Sequence, residues 1–475
     1  MARIVVLGAG FAGQTAALYL GKALGRNHEI TVVNASDHFY FIPSFVWVGT
    51  GRMAPARTRF PLKPVLDKFH VRFVHGMARA LDPVEQWVRV ERGGSAGDLR
   101  LDYDYLLVAT GPKLNFAGTP GLGPHGGHSQ SICTLPHAET ARDHYLEKVE
   151  RMQRGERARL VIGTGHAGAT CQGAAFEYIS NIHKDLLIRG LRDKADLHWI
   201  SNEQELGDFG IGGIQMPPGA RASTSEAFLA AVFKEFGVSW EVRRGVKAVE
   251  PGRMFWEDFE GNDGETAFDF SMLIPQFQGH RLEVEGGEGL ADQVFNPAGF
   301  VKVDGIYGLP YEELSRTPEA WPADYRNPSF PSIFAAGIAF APPGPISKPH
   351  TTPRGTAIAA APPRTGMVAG IIGRLCALNI IDLVTKGTCT HKERMSEMAA
   401  ACIASMGDSL WDGSAATIMI YPVVPNHKEF AATHGRDAFV THMEMGLAGA
   451  WMKRMIHHTF LHKLQGRVGW QFIPE

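Results

Sequence analysis

The chain opens on a short apolar run, Ile4-Val5-Val6-Leu7, then a glycine turn, then the amphipathic stretch "FAGQTAALYLGKAL". Four apolar residues bounded by glycine predict a buried strand, and the stretch that follows predicts a helix. The same alternation recurs. "EITVVN" predicts a strand ending at Asn34, and "YDYLLVAT" one ending in Ala109-Thr110-Gly111. "ARLVIGTG" predicts another before a second glycine turn and helix, and "PSIFAAG" one more, ending in Ala336-Gly337. Strands alternating with helices in this way predict an α/β protein with parallel sheets. The stretch "APPGPISKPHTTPRGTAIAAAPPRTG" is too rich in proline for a helix, so the next helix is predicted to begin at Thr365-Gly366.

The last hundred residues have a different pattern. Phe439, Met443, Leu447, Trp451 and Met455 stand four apart, which predicts one helix with an apolar face, although Gly446 and Gly449 weaken it. Lys453, Arg454, Lys463 and Arg467 follow, with no acid between Trp451 and Trp470. An apolar stripe beside cations suits a helix lying in a bilayer interface; an ordinary core-facing helix is the alternative.

Length and composition narrow this picture. The 475 residues exceed one ordinary core, so two or three domains are expected. A net charge of −2 argues against bulk nucleic-acid binding. The first strand begins at Ala2, leaving no room for a signal peptide. No apolar run of about 18 residues occurs, so no spanning helix is expected. These features place the chain in the cytoplasm or on a cytoplasmic membrane face. The five cysteines, Cys133, Cys171, Cys376, Cys389 and Cys402, show no CxxC spacing, so no metal site is expected.

The glycine turns carry the first chemistry. Gly8, Gly10 and Gly13, with Ala12 between the last two, form G-x-G-x-x-G directly after a strand. That spacing lets backbone approach a pyrophosphate at a helix N-terminus, where N–H groups and the dipole favour an anion. Asn34 holds the place where an acid commonly binds ribose, so the charge-assisted bond is lost there. Ile338 stands after Ala336-Gly337, where a flavin-binding acid is common in two-dinucleotide flavoproteins. The order of motifs predicts an FAD domain in two pieces, 1–112 and 297–380. A second Rossmann-like domain, 113–296, is inserted between them, and a C-terminal region spans 381–475. Thr365 and Gly366, after Arg364, would aim a helix N-terminus at the flavin ring and stabilise negative charge there.

Several segments together resemble the sulfide:quinone oxidoreductases, a branch of the two-dinucleotide flavoproteins. They are "GAGFAG", "NASDHFYFIPSFVWVGTG", "SICTLPHAE" around Cys133, "GATCQGAAFEY" around Cys171, "GDFGIGGIQ", "IFAAGIAFAPP" and "CIASMGD" at Cys402. The resemblance covers nearly the whole chain. It implies FAD as cofactor, sulfide as substrate, a membrane quinone as acceptor, no NADH, and peripheral attachment to the cytoplasmic membrane; a homo-oligomer is expected.

On the same resemblance, Cys171 and Cys402 are the redox pair and Cys133 is the family's third cysteine, held to the flavin as a thioether or left as a thiol. Sulfide attacks the pair, and Cys402 is the thiolate that faces the flavin. Sulfur leaves as polysulfide or elemental sulfur. Glu177 is the candidate acid/base. A thiolate needs activation, and Cys171, read as lying in the first turns of a helix, gains it from the helix dipole. Three features depart from the family pattern. Asp208 replaces a histidine, Arg364 replaces a lysine, and the proline-rich loop is longer. Cys376 and Cys389 match no family cysteine.

Two other readings share parts of this pattern. A type II NADH:quinone oxidoreductase would need a ribose-binding acid about 20 residues past Gly163; the next strand reaches one only at Glu203. A flavocytochrome-type sulfide dehydrogenase would carry an export signal.

Overall fold

The structure, a computed structural model, describes residues 1–93, 97–216, 223–363 and 365–475. Its first sheet has five parallel strands, in the order Ile333–Ala335, Tyr105–Val108, Arg3–Leu7, Glu29–Asn34, Arg72–His75. The strand Ile333–Ala335 returns to this sheet after a long excursion. Val5, Val6, Val32, Leu106, Leu107 and Phe334 are buried, as expected of parallel strands covered on both faces.

Helices α1 (Phe11–Leu24) and, later in the chain, Gly366–Lys386 pack on each other beside this sheet. A Cβ on Gly373 would fall 2.3 Å from the Ala12 carbonyl oxygen, so only glycine allows that approach. The Gly366–Lys386 helix bears on two expectations. It is apolar and long enough to cross a membrane, with a mean hydropathy of 1.9, yet 61% of that window is buried inside the protein. It is a core helix, and its small residues explain why no apolar run stood out. It also runs past residue 380, so a domain boundary there would cut a helix.

The second parallel sheet runs Val238–Glu241, Ala195–Ile200, Ala158–Thr164, Phe270–Ile274. Helix α2 (Gln172–Ile188) packs on it. Two further sheets accompany them: one mixed, with Glu283–Val284 parallel to Met77–Asp82 and the strands Trp87–Glu91 and Leu99–Asp102 antiparallel, and one antiparallel, Arg244–Glu250 with Arg253–Asp258 and Asp263–Ala267.

The C-terminal region is a three-stranded antiparallel sheet, Ala400–Met406, Ser414–Ile420 and His442–Gly446, followed by the helix Leu447–Leu464. The single apolar helix face expected from Phe439 to Met455 does not exist. Phe439 lies in a loop, and Met443 is a buried strand residue opposite Ile418. The helix starts at Leu447. A spacing of four satisfies a helix, but a strand that hands over to a helix at Gly446 produces the same spacing by coincidence. The flanking cations are also mostly internal. Lys463 pairs with Glu475 at 2.8 Å, both buried, and Arg454 pairs with Asp408 at 3.2 Å.

Candidate active site

The first glycine turn forms a cradle of dinucleotide-binding shape. Gly8 has φ +99°, and a Cβ there would lie 2.3 Å from the Ala109 carbonyl oxygen. Gly10 caps α1, and the space where its Cβ would stand is open for 4 Å, as a bound pyrophosphate requires. Gly13 packs α1 onto the strand end, Ala12 is buried behind it, and Gly111 follows Ala109 and Thr110 with open space beside it. Asn34 is engaged within the protein. Its Oδ1 accepts from the Ala9 N–H at 2.9 Å, and its Nδ2 donates to the Ser36 carbonyl at 2.7 Å. It braces the turn, which a carboxylate could not do with both ends.

The returning strand leads into Gly337 and Ile338, and the segment faces a cleft lined by Gly337, Phe340, Pro362, Thr365 and Val368. Thr365 caps the helix there, its hydroxyl accepting from the Val368 N–H at 3.4 Å, with Gly366 as the first helical residue. Arg364 lies outside the described residues. Open space at Gly10 and Gly111, the N-terminus of α1 beside it, and the N-terminus of the Gly366–Lys386 helix at the cleft fit FAD.

The second glycine turn differs. Strand Ala158–Thr164 is followed by seven residues before α2 begins at Gln172, whereas α1 starts directly after Gly10. The intervening loop is covered by the proline-rich segment. Ala359 and Ala361 donate backbone N–H groups to the Ala167 and Ala169 carbonyls, both at 3.0 Å. The Asn202 amide donates to the carbonyls of Ala167, Ala169 and Ala359 at 2.9–3.2 Å. These bonds tie the loop's carbonyls to the covering segment, while its Gly165, Gly168 and Ala169 N–H groups, the kind of donor a pyrophosphate needs, are bonded to the Ile274 carbonyl, the His166 Nδ1 and the His166 carbonyl. Glu203 is no ribose ligand. It is buried, accepts from the Ser201 hydroxyl at 2.6 Å and the Phe209 N–H at 2.8 Å, and burial pushes its carboxyl up to about 8.

Cys171 is the residue that caps α2, at φ +63° and ψ +34°, not a residue of its first turns. Left-handed backbone at a side chain other than Gly or Asn is costly, by about 1 kcal/mol or more, and such strain gathers at functional sites. Cys402 arrives from the strand Ala400–Met406, opposite Ile418. Its sulfur sits over the start of α2, where a Cβ on Gly173 would stand 3.4 Å away. Gly173 thus makes room for Cys402 two residues from Cys171. Burial is the main reason the Cys402 thiol is pushed up to about 11; the Glu177 charge adds to this and Lys453 opposes it. Reduced Cys402 is therefore expected to react slowly as a nucleophile at neutral pH. Alkylation of reduced Cys402 by iodoacetamide is expected to accelerate about tenfold per pH unit from 7 to 10. A rate that levels off below pH 8, read by peptide mass spectrometry, would contradict this.

Cys133 lies on the loop before the helix Leu135–Gln153, its N–H donating to the Ser131 hydroxyl at 3.2 Å. Burial pushes its thiol up to about 11 as well. Cys376 is buried in the Gly366–Lys386 helix, and the Cys389 sulfur lies 3.9 Å from the Arg326 guanidinium, both on parts of the chain away from α2.

Glu177 is not the solvated helix carboxylate its position suggests. It is buried in an ion pair with Lys453, whose Nζ lies 2.8 Å from Oε1 and 2.9 Å from Oε2. Oε1 also accepts from the Ser405 N–H at 3.0 Å and the Ser405 hydroxyl at 2.6 Å. Lys453 donates further to the Ile403 carbonyl at 3.0 Å. Asn181, one turn along α2, binds the Ser405 carbonyl and the Gly407 N–H. This network fixes the Cys402 strand to the Cys171 helix. Lys453, Ser405 and Asn181 carried no signal in the sequence, because Lys453 reads as an exposed cation and the other two as ordinary polar residues.

Fold and site together define a flavoprotein of the two-dinucleotide type, and residues 2–188 match the family described as Pyridine nucleotide-disulphide oxidoreductase. A sulfide-quinone reductase from Aquifex aeolicus (strain VF5) is 30% identical over 440 residues, covering 92% of this chain and 88% of that protein. A mitochondrial sulfide:quinone oxidoreductase from Dictyostelium discoideum is 25% identical over 64% of this chain and 61% of its own length. The crystal structure of the Aquifex aeolicus sulfide:quinone oxidoreductase superposes with a TM-score of 0.77 at 29% identity, covering 98% of this chain and 92% of that one. The chain belongs to the sulfide-quinone reductase family. It is an FAD-dependent oxidoreductase.

Proposed function

We propose that the protein oxidises sulfide at Cys171 and Cys402 and sends the electrons through FAD to a quinone. The observation that carries this is the seating of Cys402 on the helix that Cys171 caps, with Gly173 leaving the space. Hydrosulfide attack on a disulfide between the two sulfurs makes a persulfide on one and releases the other as thiolate. Bound FAD supplies a two-electron acceptor that passes its electrons on. Burial at Cys402 excludes water from the sulfur chemistry, and Lys453 favours negative charge there. Cys133, on its separate loop, is proposed as the third cysteine at the cofactor. Glu177 is proposed to act by holding Lys453 and the Cys402 strand in place.

NADH is not a substrate in this reading, because residues 359–361 cover the loop where its pyrophosphate would bind and the Gly165, Gly168 and Ala169 N–H groups there are already bonded within the protein. The test is direct. Sulfide is expected to bleach the flavin absorbance of the purified protein, with recovery on adding a soluble quinone, while NADH leaves it unchanged. Fast bleaching by NADH would overturn the proposal.

Membrane contact is proposed for exposed residues of the C-terminal region, which keep Phe439, Trp451 and Met455 of the expected face and add Leu410 and Trp411. Trp411 and Phe439 are 89% and 98% exposed; Leu410 beside Trp411, and Trp451 and Met455 on the helix Leu447–Leu464, are exposed as well. The Trp451 indole N–H donates to the Leu410 carbonyl at 2.8 Å, tying this loop to the helix. Exposed aromatic side chains of this kind suit a bilayer interface. Between this helix and the head of Gly366–Lys386 lies an aromatic group, Phe11, Phe41, His457 and Phe460, with ring centroids 5.5–6.4 Å apart, proposed as the quinone's approach. Trp411→Asp with Phe439→Asp is expected to move most of the protein from the membrane to the soluble fraction with FAD retained. Unchanged pelleting with membranes would refute this surface. Truncation from residue 437 would be a poor test, because it also removes Lys453.

A further inference from the structure

The loop after Ser414–Ile420 and the glycine-rich segment 207–213 enclose a cavity of about 210 Å³. Its polar lining includes Tyr311, His427, His434 and Arg436, and among the described lining residues there is no carboxylate. Arg436 is buried and makes no ion pair among the described residues. Its guanidinium instead donates to four carbonyls, those of Pro422, Gly213, Ile211 and Val423, at 2.7–3.3 Å. Burial pushes it down to about 10, with Asp208 opposing, so it is charged at neutral pH.

Asp208, the residue that replaces the family's histidine, does not reach the cavity as a free acid. It is buried behind the wall, bonded to the Ser347 hydroxyl and, at 2.8 Å, to the Gly210 N–H. The bonded N–H groups of Arg436 thus face backbone, and it acts on the cavity through its charge, beside the imidazoles of His427 and His434; a cationic cleft concentrates anions. Its remaining walls, including Leu314, Ile346 and Val424, are apolar. Trp321 lines both this cavity and the cleft at Gly337 and Thr365, so the two spaces are neighbours.

We propose that this cavity is the product site of the enzyme, receiving the anionic polysulfide chain released from the cysteine pair. The assignment rests on the sulfide-oxidising reading above. Size supports a chain over a single hydrosulfide, since a water molecule's share of liquid volume is about 30 Å³ and the cavity is several times larger. Apolar walls with one cationic end match a polarisable sulfur chain that carries its charge at its termini.

The probe is thiosulfate, a redox-quiet sulfur dianion, measured by equilibrium dialysis on the FAD-loaded protein. Saturable, stoichiometric binding is expected in the wild type. Arg436 also holds the loop, so the variant is His427→Gln with His434→Gln, checked for unchanged melting and bound FAD. Its thiosulfate affinity is expected to fall about tenfold or more, and the polysulfides it releases during turnover with sulfide and a soluble quinone are expected to be shorter. Equal affinity in variant and wild type, no saturation in the wild type by about 10 mM, or an unchanged product length would overturn the assignment. Failure of sulfide to bleach the wild-type flavin would instead refute the underlying reading, while the dialysis would still report on the cavity.

Discussion

Replacement of Cys402 by serine is expected to abolish sulfide-driven bleaching of the flavin while FAD stays bound. Serine is nearly isosteric, and the strand Ala400–Met406 keeps its pairing with Ser414–Ile420, so the fold has no reason to change. What disappears is the sulfur that can form and break a bond with Cys171. A hydroxyl can neither form a disulfide nor leave as a stable anion, so the loss is on the order of 10³-fold or more in the rate of flavin reduction. Cys171→Ser is expected to behave alike, because the cap at φ +63° is set by backbone and not by the sulfur. Stopped-flow absorbance of the flavin band reads both variants. Bleaching at the wild-type rate in either one would remove it from the relay.

The second large effect is expected at the Glu177–Lys453 pair. Breaking a buried ion pair by removing one partner leaves the other charge without compensation, at a cost of about 3–5 kcal/mol. Glu177→Gln and Lys453→Met are each expected to lose stability of that order in urea unfolding. The double variant should recover much of it, since no lone charge is left. The same variants separate two roles for Glu177. Its negative charge pushes the Cys402 thiol up and Lys453 pulls it down. Glu177→Gln should therefore move the alkylation profile of Cys402 to lower pH, and Lys453→Met to higher pH. If Glu177 is instead an obligatory proton acceptor, Glu177→Gln stays inactive at every pH at which it is folded. Shifts of the alkylation profile in the opposite directions would show that the pair does not act on Cys402 electrostatically.

Some failures of the sequence reading have a common cause. The helix expected from Phe439 to Met455 was inferred from spacing alone, and spacing cannot tell one helix from a strand joined to a helix at Gly446. Lys453 and Lys463 read as interfacial cations because a lone lysine in sequence has no visible partner. Their partners, Glu177 and Glu475, are brought to them only by packing. Asp208 stood out as a departure from the family, but its role behind Arg436 depends on the loop 425–436, far away in sequence.

What the sequence by itself determined is the part governed by local rules. Short buried strands, the turn at Gly8 and Gly10, the cap at Thr365 and the alternation of strand and helix follow from backbone sterics and hydrophobic period over a few residues. The cysteine contexts pointed to sulfur chemistry before any geometry was known. Only the tertiary structure decided which groups meet. It set Cys402 over the helix capped by Cys171, sealed the second glycine turn with Ala359, Ala361 and Asn202, and buried Glu177 against Lys453. Burial also raised the Cys402 thiol, which nothing in its local sequence indicated. Solvation and long-range pairing set these properties, and both depend on what the rest of the chain places around a residue, which local pattern does not contain.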